Sequence, residues 1–374
     1  MPESSLLHLQ HCKRLLELEY AYEKEQFRQQ TETVGIYHKI RQGYCWFPLV
    51  IGQSYYNSLN QFVIEVRRTE WTDVEHNFEP GKTVCFFTMD ASGPQKSQYA
   101  EGQLHYLNFS ATVSFVDENR MVIILPGTDS LSQLLQAERL GIQLYLDETT
   151  YKLMFEALDH ATTAKHGRLA ELREILLGQV TAGTYQFMPV RFPWLNTSQE
   201  TAVNNVLRAK DVAIVHGPPG TGKTSCALKK MVETFHADKG VQILLLSYTN
   251  RAVDEICKSL ASIRPAVDFI RVGSELSCDE TYRTHLIENE LASCNRRSEV
   301  YERIRSCRII VGTVAAISGK PELFRLKHFN VAIIDEATQI LEPQLLGILC
   351  ARGEEGGNAI DKFILIGDHK QLPA

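Results

Sequence analysis

Residues 217–224 read Gly-Pro-Pro-Gly-Thr-Gly-Lys-Thr, directly after the apolar run Val212-Ala213-Ile214-Val215 and before a segment of helical pattern. A buried strand, a glycine-rich turn and a helix N-terminus in that order aim successive backbone N–H groups at one point, where they can hold a polyphosphate. Glycine permits backbone angles closed to other residues, so Gly217, Pro218, Pro219, Gly220, Thr221 and Gly222 can wrap the phosphates. Lys223 is placed to reach the β- and γ-phosphates, and the Thr224 hydroxyl to ligate Mg²⁺. The other reading is a glycine-rich structural turn, which the strand before and the helix after disfavour. A nucleoside triphosphate with Mg²⁺ is the expected ligand.

The same context predicts a parallel α/β sheet over residues 190–374. Candidate strands are Asp211–His216, Gln242–Tyr248, Phe269–Val272, Arg308–Val311, Val331–Asp335 and Lys362–Gly367, with a polar, helix-like insertion over 275–304 that contains Arg296-Arg297. The texture ahead of it differs. Residues 5–34 have the apolar spacing of a long amphipathic helix, and residues 1–40 are expected as a stalk helix. Over 41–146, short β-rich runs such as Phe62–Val66, Val84–Phe87 and Ala111–Val116 are separated by Gly, Asn, Asp and Pro clusters. Five or six short strands there predict a small antiparallel barrel. Residues 147–189 return to helix, with Gly178 as a stop, and then a linker with Gly183 and Pro189.

Two further clusters carry chemistry. Val331-Ala332-Ile333-Ile334 runs into Asp335-Glu336, some 110 residues after the phosphate loop. Asp335 is a candidate Mg²⁺ ligand and Glu336 the candidate base for the attacking water. Taken alone, such a pair can equally be the N-terminal charge of a helix. The third cluster, Gly367-Asp368-His369-Lys370-Gln371, follows another apolar strand to the sheet edge where ligands of open α/β sheets collect. Gln371 is the candidate γ-phosphate sensor and a third catalytic residue beside Lys223 and Glu336. A plain polar loop is the competing reading.

These motifs in this order resemble superfamily 1 helicases. Asp335-Glu336-Ala337-Thr338-Gln339 is similar to their D-E-x-x-Q motif, and Gly367-Asp368-His369-Lys370-Gln371-Leu372-Pro373 to their motif III. The likeness is strongest to the branch with the nonsense-mediated-decay RNA helicase and the immunoglobulin mu-binding helicase. Leu195–Val203 resembles that branch's Q motif, which implies ATP as the nucleotide and Gln199 as the reader of adenine. Thr249-Asn250-Arg251-Ala252-Val253-Asp254 resembles motif Ia, with Tyr248-Thr249-Asn250 where the family commonly has Pro-Ser-Asn; an aromatic there offers a base a stacking face. Val311-Gly312-Thr313 falls at a further strand-contacting motif. The resemblance implies a RecA-like P-loop domain preceded by a stalk and barrel. It also implies single-stranded DNA or RNA as partner, contacted by Thr249, Asn250 and Thr313, and 5′-to-3′ movement driven by ATP hydrolysis.

Motors of this superfamily use a second RecA-like domain to supply arginines to the transition state, and no residue here matches that role. The sequence, which stops just after the third motif, is therefore expected to be part of a longer, monomeric protein, with the second domain C-terminal and low activity without it. The rival expectation is a nucleotide-gated binding or regulatory module without unwinding; a P-loop ATPase of another branch is the third.

Bulk properties bound the rest. Net charge is −6 and the pI about 6.1, so a strand must be held by a local groove rather than by overall charge. The 9 cysteines form no C-x-x-C pair and no Cys/His cluster of metal spacing, so no zinc or iron–sulfur site is expected. Without a long apolar run or a signal pattern, a soluble intracellular protein is expected, cytoplasmic with the nucleus left open, and no membrane partner.

Overall fold

The computed structural model describes residues 4–31, 34–57, 61–89, 104–146, 148–294 and 296–371. Leu372 and Pro373, the end of the third motif, and Ala374 lie outside them. The chain divides into two compact units, one of Met1–Leu15 with Thr150–Ala374 and one of Leu16–Thr149.

The Leu16–Thr149 unit holds a seven-stranded antiparallel sheet: β1 Cys45–Trp46, β2 Leu49–Tyr56, β3 Phe62–Arg68, β4 Thr83–Met89, β5 Leu104–Asp117, β6 Arg120–Ile124 and β7 Leu140–Leu144. Their order is β1-β7-β4-β5-β6-β3-β2. The two outermost strands, β1 and β2, are joined only by Phe47 and Pro48, so the sheet must roll until its edges meet, which is barrel geometry. Trp46, Val66, Phe86, Met121, Ile123 and Ile142 fill the interior. Two elements here were not expected from sequence, strand β7 and the helix Thr128–Leu135. β7 contains Gly141, a residue that weakens strand propensity. The structure needs glycine there, because a Cβ would lie 2.2 Å from Cζ of Phe87.

The other unit holds six parallel strands: β8 Val212–His216, β9 Ile243–Ser247, β10 Phe269–Val272, β11 Ile309–Thr313, β12 Phe329–Ile334 and β13 Ile360–Gly367. Their order is β10-β11-β9-β12-β13-β8. No bound differs from the sequence expectation by more than two residues. Every residue of β9, β10 and β11 is buried. Strands covered on both faces need no polar alternation, which is why they read as unbroken apolar runs. Val203, Met231, Val253, Ile256 and Leu260 from flanking helices pack with Leu245, Val311 and Ile333 of the sheet.

The helical parts are more broken than expected. The first helix is Ser5–Thr31; within the unit that includes its start, Ser5 bonds Glu174 and Lys13 pairs with Asp159 at 2.5 Å, an antiparallel progression. The segment expected as one second helix is two, Glu148–Thr163 and Arg168–Leu176, parted at Gly167 with φ +85°. Arg173 bridges the break by donating to the carbonyls of Ala161 and Ala164 at 2.7 and 2.8 Å. The insertion resolves into 3₁₀ turns at Glu275–Ser277 and Glu280–His285 and the helices Ile287–Leu291 and Arg297–Ser306. Arg303 ties it to the sheet by pairing with Glu290 at 2.7 Å and Asp268 at 2.9 Å. Among the described residues no helix is long and apolar enough to cross a membrane.

Candidate nucleotide site

The C-terminal ends of β8, β9, β12 and β13 lie side by side, because their registers pair His216 with Gly367, Leu365 with Ile334, and Ile334 with Leu246. The Gly217 N–H donates to the Gly367 carbonyl at 3.1 Å and joins the phosphate loop to the start of the third motif. Gly220 and Gly222 sit at φ +77° and +76°, in the left-handed region that favours glycine. A Cβ on Gly217 would lie 2.8 Å from Cγ of Lys223, so the lysine side chain folds over the loop only because position 217 is bare. The Thr221 hydroxyl donates to Pro218 O at 2.7 Å. Beyond the loop the helix opens with one wide turn, Lys223–Leu228, before Lys229–Ala237 continues as regular α-helix.

Residues more than a hundred positions apart meet here. Thr224 Oγ1 donates to Asp335 Oδ2 at 2.5 Å, and Lys223 Nζ lies 3.5 Å from Glu336 Oε1. Asp335 is 1% exposed at the end of β12. Its own N–H donates to Leu246 O at 2.8 Å, while its carbonyl accepts from the Ser247 hydroxyl at 3.1 Å. Burial pushes the Asp335 carboxyl up, against the opposing pull of the Thr224 hydroxyl and the Glu336 N–H, which donates to it at 3.0 Å. A hydroxyl and a desolvated carboxylate side by side are hard oxygen donors that fit Mg²⁺, and a cation would offset the cost of burying the charge.

Glu336 has φ +52° and ψ +38°. A side-chain-bearing residue in that region costs about 1–2 kcal/mol. Its Oε2 is buried with no hydrogen-bond partner among the described residues. Only the three-residue turn Ala337–Gln339 follows it, so it is not the N-terminal charge of a helix that an acidic pair can otherwise be. Strain and an unpartnered carboxylate oxygen beside a lysine fit a working residue better than a packing one.

Gln199 stands in the first turn of the helix Thr197–Arg208, where it closes a capping box with Asn196. Its Nε2 donates to Thr221 O at 2.9 Å, and its Oε1 accepts from Asn196 N at 3.2 Å. A carboxamide has two N–H donors and two acceptor lone pairs. One of each is left over, the complement of an adenine N7 and N6–H₂ edge. The cleft beside it is lined by Gln199, Ala202, His216, Gly217, Lys223 and Cys226. Gln371 is held by Asp368, its N–H on Asp368 O at 3.1 Å and its Nε2 on Oδ2 at 3.4 Å.

Thr249, Asn250 and Thr313 lie at the same sheet edge but away from the loop, at the ends of adjacent strands β9 and β11, whose register pairs Ser247 with Thr313. Both threonines cap helices: Thr249 Oγ1 accepts from Ala252 N at 3.2 Å and Thr313 Oγ1 from Ala316 N at 3.1 Å. Thr313 is 8% exposed, whereas Tyr248 beside Thr249 is 45% exposed.

Sequence reasoning overlooked several partners. His216 Nε2 pairs with Asp368 Oδ1 at 3.0 Å, and the Lys370 N–H and His216 hold that carboxyl below its usual range. The Ser247 hydroxyl braces Asp335, and Thr338 crowds Gly367, where a Cβ would meet Thr338 atoms at 3.0–3.2 Å. A polar residue ending an otherwise apolar strand, as at Ser247 and His216, was the available signal.

Residues 194–300 and 288–374 match a family model described as an AAA domain. Over 183 residues, 48% of this chain and 17% of the relative, the chain is 33% identical to the DNA replication ATP-dependent helicase/nuclease DNA2 of Gallus gallus. It is 34% identical over 185 residues to DNA2 of Homo sapiens, covering 16% of that protein. The DNA-binding protein SMUBP-2 of Mesocricetus auratus aligns across 96% of this chain and 39% of its own length at 25% identity. Residues 194–374 are thus similar to the AAA-domain model, and the chain is similar to these helicases. The chain spans less than a fifth of the DNA2 proteins and about two-fifths of SMUBP-2. The solved UvsW helicase of bacteriophage T4 overlaps 56% of the chain at 14% identity with a TM-score of 0.35, too slight a likeness to bear on the fold.

Proposed function

We propose that the chain is the ATP-binding part of a helicase or translocase that couples ATP hydrolysis to 5′-to-3′ movement on a single nucleic-acid strand. The observation that carries this reading is the meeting of Lys223 and Thr224 with Glu336 and Asp335, at 3.5 and 2.5 Å, on one edge of a parallel sheet. In this reading Lys223 and the N–H groups of Gly220 to Thr224 hold the β- and γ-phosphates, and Gln199 presents its remaining donor and acceptor to adenine. Thr224 and Asp335 would hold Mg²⁺, which when bound neutralises charge developing on the transferred phosphoryl group. Glu336 accepts a proton from the attacking water through its unpartnered Oε2. Gln371, fixed by Asp368, senses the γ-phosphate.

The strand is assigned to the edge formed by Tyr248, Thr249, Asn250 and Thr313. Tyr248 offers an exposed ring for stacking, a sequence-tolerant contact worth about 1–3 kcal/mol per base. The relatives' printed names concern DNA, which makes single-stranded DNA the first strand to try, with RNA of the same sequence beside it. A second RecA-like domain on the full-length protein completes the site by the same reasoning. The test is steady-state ATPase activity of the full-length protein with and without single-stranded DNA or RNA. The reading expects strand-dependent stimulation that falls steeply with salt. ATP binding with no strand effect on turnover would instead indicate a nucleotide-gated module.

A further inference from the structure

We propose that His8, Cys12 and Glu342 form a binding site for one divalent cation of borderline softness, Zn²⁺ foremost. His8 and Cys12 are four residues apart on the helix Ser5–Thr31, and so share one face. Glu342 opens the helix Glu342–Leu349, which follows the Asp335-Glu336 turn. All three belong to the Met1–Leu15 and Thr150–Ala374 unit. No sequence spacing joins them, because the third donor is over 300 residues from the other two.

The donor triangle has the size a tetrahedral ion demands. His8 Nε2 lies 3.0 Å from Glu342 Oε2, Cys12 Sγ lies 3.5 Å from His8 Nε2, and Cys12 Sγ lies 3.9 Å from Glu342 Oε2. With Zn–S near 2.3 Å and Zn–N and Zn–O near 2.0–2.1 Å, tetrahedral angles give edges of about 3.3 Å for N–O and about 3.5 Å for S–N and S–O. All three observed edges fall within about 0.4 Å of those values. Charge agrees as well: one thiolate and one carboxylate offset a 2+ ion, with His8 as a neutral ligand. Without an ion the three donors hydrogen-bond one another, His8 with Glu342 and the Cys12 thiol with both, so the triangle is already assembled. Sulfur, imidazole and carboxylate together suit Zn²⁺ rather than Mg²⁺ or Ca²⁺, which take oxygen.

Three protein ligands leave a fourth position for water, and all three side chains are partly exposed, so an ion can enter. Binding releases the Cys12 thiol proton to solvent, so affinity rises with pH. The ion fastens the start of the first helix to the helix just beyond the catalytic carboxylates. A second group, His216, Asp368 and His369, also gathers within ligand distance, but it belongs to the nucleotide site and serves as the control.

The experiment titrates the chelator-treated chain with Co²⁺ and then Zn²⁺, reading absorbance, with stoichiometry by native mass spectrometry. One equivalent of Co²⁺ should bind with a thiolate charge-transfer band and be displaced by Zn²⁺. Outer-shell changes already cost about 10–100-fold in metal affinity, so Cys12→Ser and Glu342→Gln should each weaken binding by at least about 100-fold. Cys12→Ser should remove the charge-transfer band, while Cys294→Ser leaves it intact. Circular dichroism checks that each variant is folded, and Glu342→Gln leaves the first helix untouched should Cys12→Ser disturb it. Failure to bind one equivalent, a band that survives Cys12→Ser, or binding lost only with His369→Ala overturns the proposal.

Discussion

The two sheets of this chain solve the same burial problem in opposite ways, and only one of them gathers chemistry. In the antiparallel barrel, chain direction reverses at every pairing, so strand ends are divided between its two rims. Its strands mix buried and open positions; β2 has one buried residue at its start and five exposed at its end. In the parallel sheet all six strands point one way, so every C-terminal end arrives at a single edge. Lys223, Thr224, Asp335, Glu336 and Gln371 all follow such ends. A parallel sheet thus brings residues distant in sequence together without any of them packing in the core. The strain at Glu336 and the buried charge of Asp335 are concentrated at that edge.

That contrast can be broken or sharpened by substitution. The largest effect is expected at the parallel edge. Glu336→Gln keeps shape but removes the proposed base, so kcat in the full-length protein should fall by about 10²–10⁴-fold while nucleotide binding persists. Unchanged turnover would remove Glu336 from the mechanism. The barrel should respond in stability instead. Trp46, 1% exposed, packs against Phe78 at 5.4 Å and under the Arg68 guanidinium at 4.9 Å. Trp46→Ala should cost about 3–5 kcal/mol in urea unfolding of the barrel. Nucleotide affinity should stay as it was; a large loss would mean that the barrel shapes the ATP site. The smallest effect separates stability from function at one residue. Glycine adopts φ +52° without penalty, so Glu336→Gly should be about 1–2 kcal/mol more stable than Glu336→Gln while equally inactive. Equal stabilities would indicate that the Glu336 backbone is not strained.

How legible each part was follows from the same physics. Val331–Ile334 and Phe363–Ile366 announce themselves because both faces of a central parallel strand are buried. The phosphate loop, Asp335 and Glu336 follow directly, since loop chemistry is local and strand ends mark its place. β7 was hidden because Gly141, which looks like a turn residue, is needed to admit the Phe87 ring. The break at Gly167 was hidden because an apolar helical stripe continues across it, and what closes it is Arg173 reaching back to two carbonyls. His216 with Asp368, and His8 and Cys12 with Glu342, could not be read from spacing at all. Their partners are far apart in sequence, and only the fold brings them within hydrogen-bond range.

The central claim is that one Mg²⁺–ATP site is built from the Gly217–Thr224 loop and the Asp335-Glu336 pair. Calorimetric titration of ATP into the chain, with and without Mg²⁺, tests it most directly when wild type, Lys223→Ala and Asp335→Asn are compared. The account predicts one site, strongly Mg²⁺-dependent in wild type, nearly lost in Lys223→Ala, and no longer strengthened by Mg²⁺ in Asp335→Asn. Equal affinity and equal Mg²⁺ dependence in all three proteins would contradict it.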